Sequence, residues 1–191
     1  MSKSSILNAI KNANTKKVKL KTFETIFTTY DDKESIFKTN LKKAGGEVFE
    51  IEKEEINQKI NELFGSSKKI VSFVKDCKIN TIDKNSLYSP KDLKKADIAV
   101  VEASFGVCEN GALWCNGKSV KFRSIYVICE NLIILLNKKN LLNNMNEAYK
   151  KVDLKENNFG IFISGPSKTA DIEQALVVGA HGAIKTYIFL Y

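Results

Sequence analysis

The sequence has one arginine, Arg123, one histidine, His181, one tryptophan, Trp114, and two prolines, Pro90 and Pro166. Each scarcity narrows the chemistry. Base reading in nucleic acids uses arginine forks and stacked aromatics, which are missing here. The net charge of +8 comes almost wholly from lysines scattered among acids, the pattern of a solvated surface, so no nucleic-acid partner is expected. The four cysteines, Cys77, Cys108, Cys115 and Cys129, form no Cys-x-x-Cys pair. With a single histidine to assist them, neither a structural zinc site nor an iron–sulfur cluster is expected in this chain, and the expected metal ligands are none. No apolar run approaches the roughly 20 residues of a membrane span. The opening stretch, MSKSSILNAIKNANTKK, lacks the continuous apolar segment and small-residue cleavage site of an export signal. A reduced, cytoplasmic protein is the expectation.

What the sequence does have is a regular alternation of helical and strand-like patterns. At 191 residues, 43% hydrophobic and 27% charged, it is long and apolar enough for one globular domain with a substantial core. Residues 1–14 read as a short amphipathic helix with Ile6, Leu7 and Ile10 on one side, and residues 1–30 as an N-terminal helical extension. Asp31 or Asp32 can cap a helix, DDKESIFKTNLKKA, whose Ile36, Phe37, Leu41 and Ala44 face inward and which Gly45-Gly46 closes. A strand at 47–51 follows, then a helix, EKEEINQKINELF, with Ile56, Ile60, Leu63 and Phe64 on one stripe. Strands are expected at 69–74 and 96–103, separated by polar loop in which Pro90 starts a short helical turn.

Asn116-Gly117 predicts a hairpin turn, because the tightest hairpins need positive φ twice. Residues 124–129, SIYVIC, read as a strand. The run Leu132 to Leu136 is too short to assign to helix or strand from its pattern. Asn140 can cap an amphipathic helix reaching about Val152, with Leu142, Met145, Ala148 and Tyr149 inward. The last segment reads as a strand–loop–helix–strand unit: strand 159–164, a helix capped by Thr169 with Asp171 and Glu173 in its first turn, a stop at Gly179 or Gly182, and a strand from Ile184 to Tyr191. Alternating strands and helices predict an α/β fold with a mostly parallel open sheet flanked by helices.

Two stretches could carry chemistry. Cys108-Glu109-Asn110-Gly111 can present a carboxylate on a tight turn, as a nucleophile or general base, or it can be a simple turn. The loop Ser164-Gly165-Pro166-Ser167-Lys168-Thr169 combines hydroxyls, an ammonium and backbone N–H groups at an expected helix start. It can cradle a phosphate or carboxylate, with Ser164, Gly165, Ser167, Lys168 and Thr169 as ligand residues, or it can be a capped turn that binds only water. It is neither a Walker loop nor a dinucleotide fingerprint, since its glycines are too few and wrongly spaced. His181 near the expected helix end suits a capping role, and Trp114 suits packing.

The run Ser164-Gly-Pro-Ser-Lys-Thr-Ala-Asp-Ile-Glu173, continuing through Leu176 to Gly182, resembles the C-terminal signature of the LUD-domain family, in particular its lactate utilization protein C (LutC/YkgG) branch. ADIAVVEASFGVCENGALW is similar to that family's strand–turn block ending in Glu-Thr-Gly-Thr, and residues 42–49 follow its helix-to-strand pattern. The resemblance implies a NagB/RpiA/CoA-transferase-like α/β fold. It also implies participation in oxidation of L-lactate to pyruvate beside iron–sulfur partner subunits that carry the cluster-binding cysteines. Asn110 stands where the family often has threonine, and the loop around Gly117 is short. With asparagine there, Cys-Glu-Asn-Gly is similar to the Ser-Glu-Asn-Gly motif of class I CoA-transferases, whose glutamate is a covalent nucleophile. Glu109 would occupy that position, which implies as the alternative an independent CoA-transferase-like or phosphometabolite enzyme. In either case a small anionic ligand is expected, and Glu109 and the 164–169 loop are expected to line a shared pocket.

Overall fold

The computed structural model describes residues 2–13, 27–66, 68–152, 154, 159–172, 175–178 and 182–191. Five parallel strands form its central layer: β1 (Glu47–Glu50), β2 (Ile70–Ser72), β3 (Ile98–Glu102), β6 (Asn131–Leu136) and β11 (Lys185–Leu190), in the order β1-β11-β6-β3-β2. The α/β class with a mostly parallel sheet is therefore as expected. The apolar run at 132–136, left unassigned from sequence, is the middle strand. It is buried on both faces, so it reads as continuously apolar without alternation.

The period-2 geometry of these strands divides the core in two. Leu132, Ile134 and Leu136 of β6, Ala99 and Val101 of β3, and Ile188 and Leu190 of β11 point to one face. Ile133, Leu135, Ile98, Val100, Tyr187 and Phe189 point to the other. The second face is covered by α3 (Ile56–Phe64), through Ile56 and Ile60. A capping box between Glu52 and Glu55 starts the preceding helical turn. The first face is covered partly by α2 (Lys33–Lys43), which buries Phe37 and Leu41. Asp32 caps α2 by accepting the Ser35 N–H at 2.9 Å. An N-terminal helix, α1 (Lys3–Asn12), forms as expected with none of its residues buried.

A second sheet completes the first face. It comprises β4 (Phe105–Val107), β5 (Ala112–Asn116), β7 (Leu141–Leu142) and β8 (Gly160–Ile163), in the order β7-β4-β5-β8. Its inner residues Leu113, Cys115 and Leu141, with Cys108 just after β4, join the first-face core. On its outer side Phe105, Val107, Trp114 and Leu142 form a smaller cluster with Ala148 of α5 (Met145–Lys151).

Several local expectations are corrected. The sequence contains two Asn-Gly pairs, and the hairpin uses the first: β4 and β5 pair antiparallel around 108–111. Gly111 there has φ +66°, and its N–H donates to the Val107 carbonyl at 2.9 Å. Asn116 instead starts a short 3-10 turn, accepting the Lys118 N–H at 2.9 Å. SIYVIC is not a strand but a single helical turn, α4 (Ile125–Ile128). Its burial, with Ile125, Tyr126 and Cys129 inside and Val127 44% exposed, follows helical spacing. The cap of α5 is Asn144, whose side chain accepts the Glu147 N–H at 3.0 Å, and not Asn140, because Leu141 and Leu142 are taken up by β7.

The largest correction concerns the C-terminal unit. Strand β8 runs antiparallel beside β5 in the second sheet, so it does not begin a βαβ unit of the parallel one. The expected helix after Thr169 is an antiparallel pair of strands, β9 (Lys168–Ile172) and β10 (Ala175–Val178). The segment carries Thr169, Ile172, Val177 and Val178, β-branched residues that favour extended backbone. Glu173, Gly179 and His181, expected in that helix and at its end, lie outside the described residues.

Candidate functional site

The two stretches singled out from sequence meet. The Ser164 hydroxyl donates to the Asn110 carbonyl at 2.9 Å. This contact brings the loop after β8 against the 108–111 turn, because β8 and β5 are paired neighbours with Ile163 opposite Leu113. Both stretches also lean on α2. The Asn40 side chain donates to the carbonyls of Cys108 at 2.8 Å and Glu109 at 3.2 Å. Gly165, at φ +73°, sits so close to the end of α2 that a Cβ there would lie 2.5 Å from the Ala44 carbonyl oxygen. Only glycine fits that approach.

Glu109 is exposed, and its Oε1 accepts the Met145 N–H at 2.9 Å. Its own N–H donates to the Asn143 carbonyl at 3.1 Å. Asn143 is buried and in turn holds Glu147: its side-chain amide and its backbone N–H both donate to that carboxylate, at 2.8 and 2.9 Å. Those hydrogen bonds, the side-chain one foremost, keep the Glu147 carboxyl below the usual carboxylate range. The 108–111 turn is thus tied to α5 through polar contacts that the sequence pattern did not signal.

The loop divides between two surroundings. Lys168 is exposed, with its Nζ about 3.2 Å from where a Cβ on Gly45 would stand. Ser164, Gly165, Pro166 and Ser167 line a cavity of about 240 Å³ on another side. The Ser167 N–H donates to the Ala183 carbonyl at 2.9 Å, pinning the loop beside the start of β11. Tyr126 and Val127 of α4, Leu132 of β6 and Thr186 of β11 complete the wall, with Ile161 to Ile163. Lys168 and Glu109 do not line this cavity, and neither does any other charged residue among the described ones. Thr169 lies within β9, so it does not stand at a helix N-terminus. Sequence reasoning missed Thr186.

A separate polar cleft of about 300 Å³ opens where β3 ends, between Glu102, Ser104, Asn116 and Asn140. The Tyr191 hydroxyl donates to Glu102 at 2.9 Å, and burial, with this bond to a carboxylate, pushes the tyrosine up to about 12.

All four cysteines are buried and free. Burial pushes the Cys108 thiol up to about 11, those of Cys115 and Cys129 up to about 12, and that of Cys77 upward as well. A thiol so raised is almost wholly protonated near neutrality and unreactive. Titration of the native protein with a disulfide reagent at about pH 8 should therefore label almost none of the thiols, while the denatured chain should release all four. Rapid native labelling would contradict this burial.

The architecture is that of an α/β protein whose parallel sheet is backed on one face by a smaller mixed sheet. It is similar to the crystal structure of a DUF162 family protein from Deinococcus radiodurans, with a TM-score of 0.64 over 85% of this chain and 98% of that one, at 12% identity. The LUD domain family model matches residues 90–191, more than half of the sequence, and the chain belongs to that family. Among curated relatives it is similar to lactate utilization protein C of Oceanobacillus iheyensis, 32% identical over 103 residues, which are 50% of this chain and 44% of the relative. It is also similar to lactate utilization protein C of Halalkalibacterium halodurans, 33% identical over 98 residues, and to YkgG of Escherichia coli, 32% identical over 98. These two matches cover 48% of this chain each, and 43% and 42% of the respective relatives. The chain spans about half the length of the curated relatives it matches. Among the described residues no helix is long and apolar enough to cross a membrane.

Proposed function

We propose that this chain is a non-cluster subunit of a cytoplasmic L-lactate oxidation system, converting L-lactate to pyruvate, and that it binds a small anionic ligand. The observation that carries the reading is the similarity to lactate utilization protein C, at 32% identity over 103 residues. In this reading residues 1–191 act as one LUD-type unit, and iron–sulfur partner subunits supply the electron path. The ligand is held by the loop that follows β8, with Ser164, Gly165, Ser167, Lys168 and Thr169 as the candidate residues. Lys168, which is exposed, provides the positive charge for the anion.

A strain lacking the gene should fail to grow on L-lactate as sole carbon source and recover with the wild-type copy. The Lys168→Glu copy should recover growth at least several-fold more slowly, since it reverses the charge at the ligand. Unimpaired growth of the deletion strain would remove the lactate reading.

The exposure of Glu109 favours a second reading, an independent enzyme acting on a CoA thioester or phosphorylated metabolite with Glu109 as nucleophile or base. Glu109→Gln keeps an oxygen able to accept the Met145 N–H, so it spares the fold while deleting the nucleophile. Turnover of such substrates should then be abolished. Full activity of E109Q with them excludes this second reading.

A further inference from the structure

We infer that the apolar face of α1 is a docking surface for a membrane with anionic headgroups, the helix lying in the plane of that surface. α1 (Lys3–Asn12) is ten residues long and buries none of them. Ile6 and Leu7 are each 48% exposed, and Ile10 is 65% exposed. Both ends of the helix are closed. The Ser2 hydroxyl accepts the Ser5 N–H at 3.3 Å, and the Ala13 N–H donates to the Ala9 carbonyl at 2.9 Å. A helix of this length is nevertheless marginal in water on its own, because nucleation costs more than a few hydrogen bonds return. Three aliphatic side chains on one face, with no buried contact, call for an outside surface to cover them.

The residue types of α1 state the chemistry of that surface. At helical spacing Lys3, Leu7 and Lys11 form one row, and Ile6 and Ile10 form the row beside it. The two lysines thus border the apolar patch, where their stems lie along it and their ammonium groups reach negative headgroups. The opposite face carries Ser5, Asn8 and Asn12 and is polar without charge. Along most of the chain lysines stand among acids, but over residues 1–23 they do not. That stretch of sequence holds Lys3, Lys11, Lys16, Lys17, Lys19 and Lys21 and no aspartate or glutamate, so most of the net charge of +8 falls there. An anionic bilayer matches both properties, since acyl chains take the stripe and headgroups take the charge. Nucleic acid would take the lysines and leave the stripe in water. An acidic protein is a poorer match. Protein interfaces are rich in arginine and aromatic side chains and poor in lysine, and α1 has neither arginine nor an aromatic ring. The inference does not depend on the lactate reading.

The test is co-sedimentation of the full chain with vesicles of phosphatidylcholine, alone or mixed in equal parts with phosphatidylglycerol. The protein should bind the anionic vesicles at least tenfold more tightly than the neutral ones, and less tightly as salt rises. Ile6→Ser, Leu7→Ser and Ile10→Ser together should weaken binding to the anionic vesicles at least tenfold, which separates insertion of the stripe from attraction by charge alone. Lys3→Glu with Lys11→Glu should weaken it at least fivefold. Because none of these residues is buried, both variants should keep the wild-type midpoint in urea. Failure to pellet with anionic vesicles, equal binding to both kinds, or undiminished binding of the serine variant would each overturn the inference. So would α1-dependent dimerisation, or capture by polyglutamate, of protein that the vesicles leave in solution. Those results would give the face to a second copy or to an acidic protein. Growth of the deletion strain on L-lactate bears only on the proposed function.

Discussion

Replacing Phe189 with alanine should destabilise the protein by about 3–5 kcal/mol, the range for deleting a fully buried aromatic ring. Phe189 is 0% exposed in β11, which is hydrogen-bonded on both sides, to β1 and β6. Its register neighbours are Phe49 and Leu135, and its ring meets that of Phe49 edge to face at 6.0 Å. Central strands paired on both sides cannot shift to fill a hole, so the cavity term should persist. For a chain of this length the loss corresponds to roughly 6–20 °C in Tm. Urea unfolding followed by circular dichroism measures it, with Tyr88→Ala as the control. Tyr88 is 87% exposed, and its truncation should stay within about 0.5 kcal/mol. A loss in the Phe189 variant no larger than in the Tyr88 control would mean that Phe189 is not packed in the core.

The second large effect belongs to the turn that presents Glu109. Gly111→Ala should cost about 2–5 kcal/mol, from two sources that add. The residue sits at φ +66°, where an L side chain pays about 1–2 kcal/mol. Its new Cβ would also lie 2.6 Å from the Leu41 backbone nitrogen and 2.7 Å from the Leu41 Cα. That neighbour is helix backbone, so relief requires moving α2 or the turn, a further 1–3 kcal/mol or about that. Gly117→Ala is the matched comparison, because it alters the other Asn-Gly pair. Gly117 has ordinary φ, and its new Cβ would meet nothing nearer than Phe159 atoms at 3.6 Å. Denaturation midpoints should drop for G111A and barely move for G117A. The reverse order would return the hairpin to residues 116–117.

That pair of glycines also marks how far the sequence could be read. Asn-Gly is a turn signal at both positions, and nothing local distinguishes them. What selects 110–111 is the partner strand: Val107 pairs with Ala112 across the turn, and α2 closes over Gly111. Caps were legible where the competing residues did not matter. Asp32 was one of two candidates and heads α2 as expected, since the apolar stripe of Phe37 and Leu41 fixed the helix phase. Asn140 failed as a cap because Leu141 and Leu142 gained more from pairing with β4 than from starting a helix.

The site was half legible. Residue types in 108–111 and 164–169 marked both stretches as unusual, and the structure joins them through Ser164 and Asn110. The place of Thr186 on the cavity wall was not legible, because it depends on α4 and the loop packing over β11.

By itself the sequence determined the α/β class, the strands at 47–51, 69–74, 96–103 and 184–191, and the helices headed by Asp32 and Glu52. In those segments hydrophobic period and capping chemistry agree, so local preference and tertiary packing point the same way. Only the tertiary structure decided the rest: that 131–136 is the middle strand, that SIYVIC coils into one helical turn, that β8 leaves the parallel sheet, and that 168–178 pairs as two strands. In each of these segments the residues suit more than one backbone form. The deciding energy is the burial of faces and the pairing of N–H and C=O groups with strands distant in sequence.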